Sequence, residues 1–337
     1  MPTVDLMATP PEADLVPPEV SVIVISYNTR EMTLECLQTI CDQTKTAHEV
    51  ILLDNASKDG SVEAVAEAFP DTILMAEADN HGFAQGNNIA IRAKARGRYV
   101  LLLNPDTLVL DGAIDRLMAF AKANPDAKIW GGRTLYGDRS LNPTNCWRKM
   151  SLWGLISQLT GLSSLFRNSG LFNPEGYGGW SRDSEREVDI VTGCFLLIER
   201  AFWDELGGFD ATYVMYGEEA DLCLRARAKG ARPRITPEAE IVHYVGASDT
   251  VRKDQLVRLL RAKTTLVRRH FPAWQRGLGI TLLRLWPWSR WQAARARAAL
   301  SGKADHRASA EAWSSVWSRR AEWRDGYPEV EHQARAC

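Results

Sequence analysis

Residues Tyr99-Val-Leu-Leu-Leu-Asn-Pro-Asp-Thr107 constrain this chain more than any other stretch. An uninterrupted apolar run without charge predicts a strand covered on both faces, as parallel strands in layered α/β proteins are. Such a strand carries Asn104-Pro105-Asp106 to its carboxyl end, where open α/β sheets place their ligands. Pro105 fixes the backbone and removes a donor, so Asp106 stands on a stiff corner with both oxygens free to accept. That suits a hard divalent cation with oxygen ligands. It also suits the end of a strand and the cap of a following helix, since Asp-Thr before a helical stretch is a common start.

The same arrangement recurs upstream. Val20–Ser26 is a β-branched run that opens on Tyr27-Asn28, and apolar residues then recur at helical spacing from Thr33 to Cys41. Glu49–Asp54 is a second buried strand, ending in Asp54-Asn-Ala-Ser-Lys-Asp-Gly60 before a helix predicted over Ser61 to Ala68. A short strand, Thr72 to Met75, leads through Asn80-His-Gly-Phe-Ala-Gln-Gly-Asn-Asn88 to a helix over Ile89 to Arg96. This alternation predicts a parallel, doubly wound sheet with its crevice at these polar loops. A helix over Ala113 to Ala123 follows. Asn142 to Asp183, with scattered Gly and Ser and with Trp147, Trp153 and Trp180, reads as an irregular insertion of the kind that often contacts substrate. Val188–Ile198 reads as a strand pair or bent strand. Gly217 then breaks a strand-like run, and Glu218-Glu219 open a helix, where acids in the first turn are favourable in any case.

Charge divides the chain. Residues 1–250 hold 23 Lys+Arg against 35 Asp+Glu, whereas residues 251–300 hold 12 against Asp254 alone. From Leu256 to Leu300 those cations interleave with Leu and Trp, and seven of the 12 tryptophans lie beyond residue 250. The pattern fits an interfacial amphipathic helix on an anionic lipid surface, or a helical pair packed on the main domain with Arg exposed. Nucleic acid is ranked last, because no nucleic-acid motif accompanies the charge. The six cysteines show no metal-ligand spacing and read as reduced, small hydrophobes of a cytosolic protein. Residues 1–18 lack the basic start and apolar run of a signal peptide and read as a loose leader. No stretch approaches the ~20 apolar residues that would span a bilayer.

Ser26-Tyr27-Asn28, Asp54, Asn80 to Asn88, Asn104-Pro105-Asp106, Gly217-Glu-Glu-Ala-Asp-Leu-Cys-Leu-Arg225 and His243-Tyr-Val-Gly-Ala-Ser248 together resemble the family-2 glycosyltransferases of GT-A fold, especially rhamnosyltransferase-like members. The resemblance implies a GT-A domain over residues 19–250, a mixed, mainly parallel sheet flanked by helices, with a basic, Trp-rich amphipathic helical extension over 251–337. It implies that Ser26, Tyr27, Asn28 and Asp54 hold the base and ribose of a nucleotide-sugar, with Asn80, Gly82, Asn87 and Asn104 in the same donor-binding set. Asn-Pro-Asp stands in the place of the family's Asp-x-Asp, which makes Asp106 the principal ligand of Mg2+ or Mn2+. His243, by its residues alone a structural histidine at a strand end, completes that metal site by resemblance. Glu219 falls where the family carries its general base, with Glu218 as the fallback.

The implied reaction is inverting transfer of a sugar, L-rhamnose from dTDP-rhamnose in the leading reading and a UDP-sugar otherwise, to a lipid-linked or polysaccharide hydroxyl in cell-surface glycan synthesis. The enzyme is expected in the cytoplasm, peripheral on the inner face of the membrane through residues 251–300. Asn104 and Glu219 depart from the commoner residues, which leaves an impaired scaffold of a polysaccharide assembly complex as the alternative. A nucleotide-sugar dehydrogenase or epimerase would need a Gly-x-Gly-x-x-Gly turn that Ser26-Tyr27-Asn28 does not provide.

Overall fold

The computed structural model describes residues 17–244 and 252–328. Most of the expected leader, residues 245–251 with Ser248, and Cys337 lie outside the described residues. In chain order the first half contains β1 (Val20–Ser26), α1 (Arg30–Gln43), β2 (His48–Asp54), α2 (Ser61–Ala68), β3 (Ile73–Ala76), α3 (Gly82–Lys94) and β4 (Tyr99–Leu103). These four strands are parallel and ordered β3-β2-β1-β4. The chain thus winds outward from β1 to β3 and then crosses back to β4. That reversal opens a crevice at the carboxyl ends of β1 and β4, the place where such sheets bind ligands.

The apolar runs work because they are buried on both sides. Val20, Val22 and Val24 face one core with Leu101 and Leu103, while Ile23 and Ile25 face the other with Val100 and Leu102. Alternation of side chains along a strand splits one hydrophobic sequence between two layers.

The second half continues with β5 (Thr107–Val109), α4 (Ala113–Ala123), β6 (Ile129–Leu135), β7 (Cys146–Trp147), α5 (Leu152–Thr160), α6 (Leu162–Leu165), β8 (Arg186–Glu187), β9 (Ile190–Val191), β10 (Phe195–Glu199), α7 (Arg200–Leu206), α8 (Glu218–Ala228) and β11 (Arg234–His243). The main sheet runs β3-β2-β1-β4-β10-β6-β11-β5, with β8 added on β11. β10 is antiparallel to both β4 and β6, so the sheet is mixed and mainly parallel, as expected.

Two expectations shift. α3 begins at Gly82 rather than Ile89, because Asn80 Oδ1 accepts from the Gly82 N–H at 2.8 Å and starts the helix early. The insertion at 142–183 is also more regular than its composition suggests. Ser151 Oγ accepts from the Gly154 N–H at 3.1 Å and Gly161, at φ 85°, ends the same helix, α5.

Beyond residue 251 come α9 (Arg252–His270), α10 (Ala273–Ser301), α11 (Ala304–Ser318) and α12 (Arg320–Trp323). α9 is packed on the sheet domain: its Ala262 and Leu266, with Tyr327 further on, share the core of Ile23 and Val100. Its cations largely turn inward. Arg269 pairs with Asp210 at 2.6 Å, Lys263 with Glu175 at 2.5 Å, and Arg261 lies 4.6 Å from the Tyr327 ring centroid. α10 differs, since Trp274, Leu278, Leu285 and Trp288 recur at helical spacing along it and are all exposed, Trp274 by 78%. Among the described residues no helix is long and apolar enough to cross a membrane.

Candidate functional site

The carboxyl ends of β1 and β2 are registered Ser26 against Asp54, which brings two polar loops together. Asn28, at φ 52°, stitches them: its N–H donates to Ser57 Oγ and its Oδ1 accepts from the Lys58 N–H, both at 2.8 Å. Ser26 is buried, with Oγ 3.1 and 3.0 Å from the hydroxyls of Thr29 and Thr33. Its side chain therefore fixes the corner. Tyr27 projects from the same corner and is 48% exposed, an open aromatic face. Asp54 is only 1% exposed, and its Oδ2 accepts from the Ser57 N–H at 2.8 Å. Its Oδ1 is buried without a partner. Buried polar atoms are ordinarily bonded, so an orphan carboxylate oxygen at a crevice marks where a ligand donor fits.

The next loop closes over this corner. Asn55 Nδ2 donates to the Gly82 carbonyl at 3.2 Å and Asn55 Oδ1 accepts from the His81 N–H at 3.1 Å. Sequence reading passed over Asn55, whose position directly after Asp54 was the available signal. Asn80 and Gly82 form the start of α3. Asn87 lies buried inside it, donating from Nδ2 to the Phe83 carbonyl at 2.9 Å, with Oδ1 unpartnered.

At the end of β4, Asp106 Oδ1 and Asn104 Nδ2 each lie 3.3 Å from His243 Nε2. β11 supplies that histidine, held opposite Thr107 by the ladder to β5, and the Tyr244 N–H donates to the Asp106 carbonyl at 3.0 Å. Residues from two distant parts of the chain thus meet at one point. His243 Nδ1 and Asn104 Oδ1 are buried and unpartnered. Burial pulls the imidazolium down, but the Cys194 sulfur and the Asp106 carboxylate raise it further, and the pKa is pushed up to about 10. Among the described residues no three His, Cys, Asp or Glu side chains converge to hold a metal. Asp106 and the spare amide oxygen of Asn104 are hard oxygen donors, and His243 adds a borderline nitrogen donor once a cation displaces its proton. That fits Mg2+ or Mn2+ where substrate phosphates complete the shell.

The third component is the start of α8. Gly217 sits at φ 90°, and a Cβ there would meet the Tyr213 ring and Ala262 Cβ at 3.1 Å, so only glycine lets the chain turn so close to α9. Glu218 is buried with Oε2 unpartnered. Burial, then the neighbouring Glu219 charge, pushes its carboxyl well above the usual range. Burial raises Glu219 too, although that residue keeps partial exposure. A carboxylate with a raised pKa is a stronger base when it is ionised, which is what proton removal from a hydroxyl requires.

Glu219 stands against the turn between β9 and β10: a Cβ on Gly193 would lie 3.9 Å from Glu219 Cβ and 3.2 Å from the Phe83 ring. One residue on, the Cys194 carbonyl accepts from the Asn104 N–H at 3.2 Å. Gly193, unnoticed in the sequence, is the hinge point that brings the Glu219 and Asp106 regions together. Arg225, by contrast, is fully engaged. It donates to Asp221 Oδ2 at 2.6 Å and to the carbonyls of Leu206 and Gly208 at 2.7 and 2.8 Å, so it fastens α8 to the preceding loop.

Comparison with known proteins agrees with the fold. Residues 21–204 match the family model described as glycosyl transferase family 2. The chain is 27% identical over 281 residues to N-acetylglucosaminyl-diphospho-decaprenol L-rhamnosyltransferase of Mycobacterium tuberculosis, covering 77% of this chain and 88% of that protein. It is 30% identical over 176 residues to the rhamnosyltransferase WbbL of Escherichia coli, covering 49% and 61%. The fold is shared with a mannosyltransferase of Pyrobaculum calidifontis solved with GDP-Man and Mn2+, at a TM-score of 0.56, 19% identity and coverage of 92% of this chain and 90% of that one.

Proposed function

The chain belongs to glycosyl transferase family 2, and on that premise we propose that it moves L-rhamnose from dTDP-rhamnose to a hydroxyl of a lipid-diphosphate-linked saccharide, with inversion. The sugar and the acceptor are taken from the names of its relatives, which are rhamnosyltransferases, one of them acting on a decaprenol diphosphate. What supports the reading is that the loops at the carboxyl ends of the strands carry Asp54 with a partnerless Oδ1, the Asp106–His243 pair with Asn104, and, against the turn after β9, the raised carboxyls of Glu218 and Glu219.

Each group has a task in that reaction. Tyr27 offers its ring to the base, while Asp54 Oδ1 accepts from the base N–H. Asn28, Asn80, Gly82 and Asn87 shape the cradle around the ribose and diphosphate, and Ser26 holds its corner. Asp106 and His243, with Asn104, would hold Mg2+ or Mn2+, which when bound neutralises the departing nucleoside diphosphate. Glu219 takes the proton from the acceptor hydroxyl as its oxygen bonds the anomeric carbon and the nucleoside diphosphate leaves. Glu218 lies behind it as a reserve carboxylate. The GT-A domain of residues 19–250 supplies this crevice, and the extension from residue 251 brings the enzyme to the inner face of the cytoplasmic membrane through the exposed face of α10.

Thermal unfolding with thymidine, uridine and guanosine diphosphates, with and without Mn2+ or Mg2+, tests the donor. A ligand at a hundred times its dissociation constant stabilises by about 2.7 kcal/mol. Thymidine diphosphate is expected to raise Tm only when metal is present; no shift with any nucleotide and metal defeats the reading. Sedimentation with anionic vesicles tests the surface: Trp274→Ser with Trp288→Ser should release the protein, and undiminished binding would discard α10 as the contact.

A further inference from the structure

We infer that Arg148 and Arg186 form the seat for the diphosphate of the acceptor. The inference rests on the lipid-diphosphate reading above and says where that group binds. Three guanidinium groups, of Arg148, Arg182 and Arg186, lie 5.0, 5.9 and 5.0 Å from the centroid of one buried ring, Tyr177. Arg186 also lies 4.8 Å from the Trp180 ring centroid. Arg182 is a structural member, since it is buried and donates to the carbonyls of Trp180, Gly176 and Pro143 at 2.7, 2.8 and 3.1 Å.

The other two are different. Among the described residues neither Arg148 nor Arg186 makes an ion pair or a side-chain hydrogen bond; they meet aromatic faces alone. The acids near them are engaged elsewhere. Glu187 is held by Arg227 and Arg232, Asp189 by Arg227, and Glu175 by Lys263 and Gln158. Two cations brought to one ring without counter-ions repel, and an anion that reaches either of them lowers that cost. The planar fork of a guanidinium matches phosphate oxygens, and a ring beneath it keeps the fork in place.

Position selects the acceptor. β7 pairs antiparallel with β9, Cys146 opposite Val191 and Trp147 opposite Ile190. Arg148 therefore falls level with Asp189, four residues before Gly193 and the Glu219 carboxylate beside it. Fully extended, four residues reach at most about 13 Å, and the turn at Gly193 shortens that, so the cations lie within the span of a sugar ring and a diphosphate. Further out, the same insertion exposes Trp153, Leu165, Phe166 and Leu171, an apolar surface fit for the lipid chain. Base, cations and apolar surface follow one another in the order of hydroxyl, diphosphate and hydrocarbon.

The test compares two synthetic acceptors, N-acetylglucosamine joined to a farnesyl chain through a diphosphate or through an uncharged ether. Arg148→Gln and Arg186→Gln should each raise KM for the diphosphate acceptor about 10-fold or more and leave KM for the ether acceptor within about 2-fold. Arg186→Lys, which keeps the charge but loses the fork, should recover only part of the loss. In the unaltered enzyme, added salt should raise KM for the diphosphate acceptor and spare the ether, a readout that needs no variant to fold. Equal losses on both acceptors, no loss on either, or a rise confined to donor KM would overturn the inference. Transfer by the unaltered enzyme to the ether alone would remove the lipid-diphosphate reading itself. Transfer to the diphosphate acceptor with unchanged arginine variants would remove only the seat.

Discussion

Two groups of buried acids lie close together in this molecule and are treated in opposite ways. At the junction of α8 with α9, Asp221 is saturated: Arg225 donates to one oxygen at 2.6 Å and His270 Nε2 meets the other at 2.8 Å. Asp210 beside it is held by Arg269 and by the Thr212 N–H at 2.7 Å. At the crevice, Asp54 and Glu218 each keep a buried oxygen with no partner. Satisfied carboxylates fasten helices; under-satisfied ones are held open at the expense of stability, and the group they lack comes from outside. The difference separates fastening from chemistry more sharply than residue type does.

The comparison can be broken most forcefully at Glu219. Replacing it by Gln keeps its size and removes the proposed base, so transfer should fall by about 10² to 10⁴ with nucleotide-induced stabilisation retained. Unaltered turnover would move the base elsewhere. Asp221→Ala should act on the other side of the divide: it strands Arg225 and His270 and is expected to cost about 3–5 kcal/mol in urea unfolding. A loss under about 1 kcal/mol would show that the junction is not a fastening. Asp54→Asn should do the reverse, leaving stability within about 1 kcal/mol while weakening thymidine diphosphate by about 10- to 100-fold in titration calorimetry, because an orphan acceptor is exchanged for an amide.

The smallest effect is a pH limb. Burial works to raise the Asp210 carboxyl, but Thr212 and Arg269 together bring it from 3.8 down to about 2. A depressed folded pKa contributes stability that is complete above the unfolded value and lost as pH falls through the folded one. Unfolding free energy should therefore decline between about pH 4 and pH 2, by on the order of 1 kcal/mol once solvent screening is allowed for, and Arg269→Gln should flatten that limb.

The first four strands were legible because burial on both faces writes itself as contiguous apolar runs, and strand ends then locate Asp54 and Asp106 by counting; β6 and β11, interrupted by glycines or polar residues, were not. α4 was legible to the residue, since its apolar spacing is regular and local. The fastening of α9 was not. Its partners for Asp210 and Asp221 lie 59 and 49 residues away, and Arg269 and His270 look like any basic helix end until α8 is set beside them. The same local view leaves Arg-rich helices equally suited to lipid and to protein. Tyr177 with its arginines escaped notice because a ring contact leaves no periodicity in sequence. The unpaired state of Asp54 Oδ1 is a property of surroundings, which only folded coordinates display.

Tyr327 donates its hydroxyl to the Met215 carbonyl at 3.0 Å and stacks edge-on with Tyr213, 5.9 Å between centroids. The loop that leads into α8 is thus pinned by a residue more than a hundred positions further along. During synthesis the residues of the candidate site, His243 included, have all left the ribosome once β11 has emerged, ahead of the pin, and domains fold as their chain becomes available. A nascent chain arrested short of residue 327 would hold a formed crevice beside an unsecured base. Premature termination in this last stretch is therefore expected to yield a polypeptide that captures nucleotide but turns it over poorly.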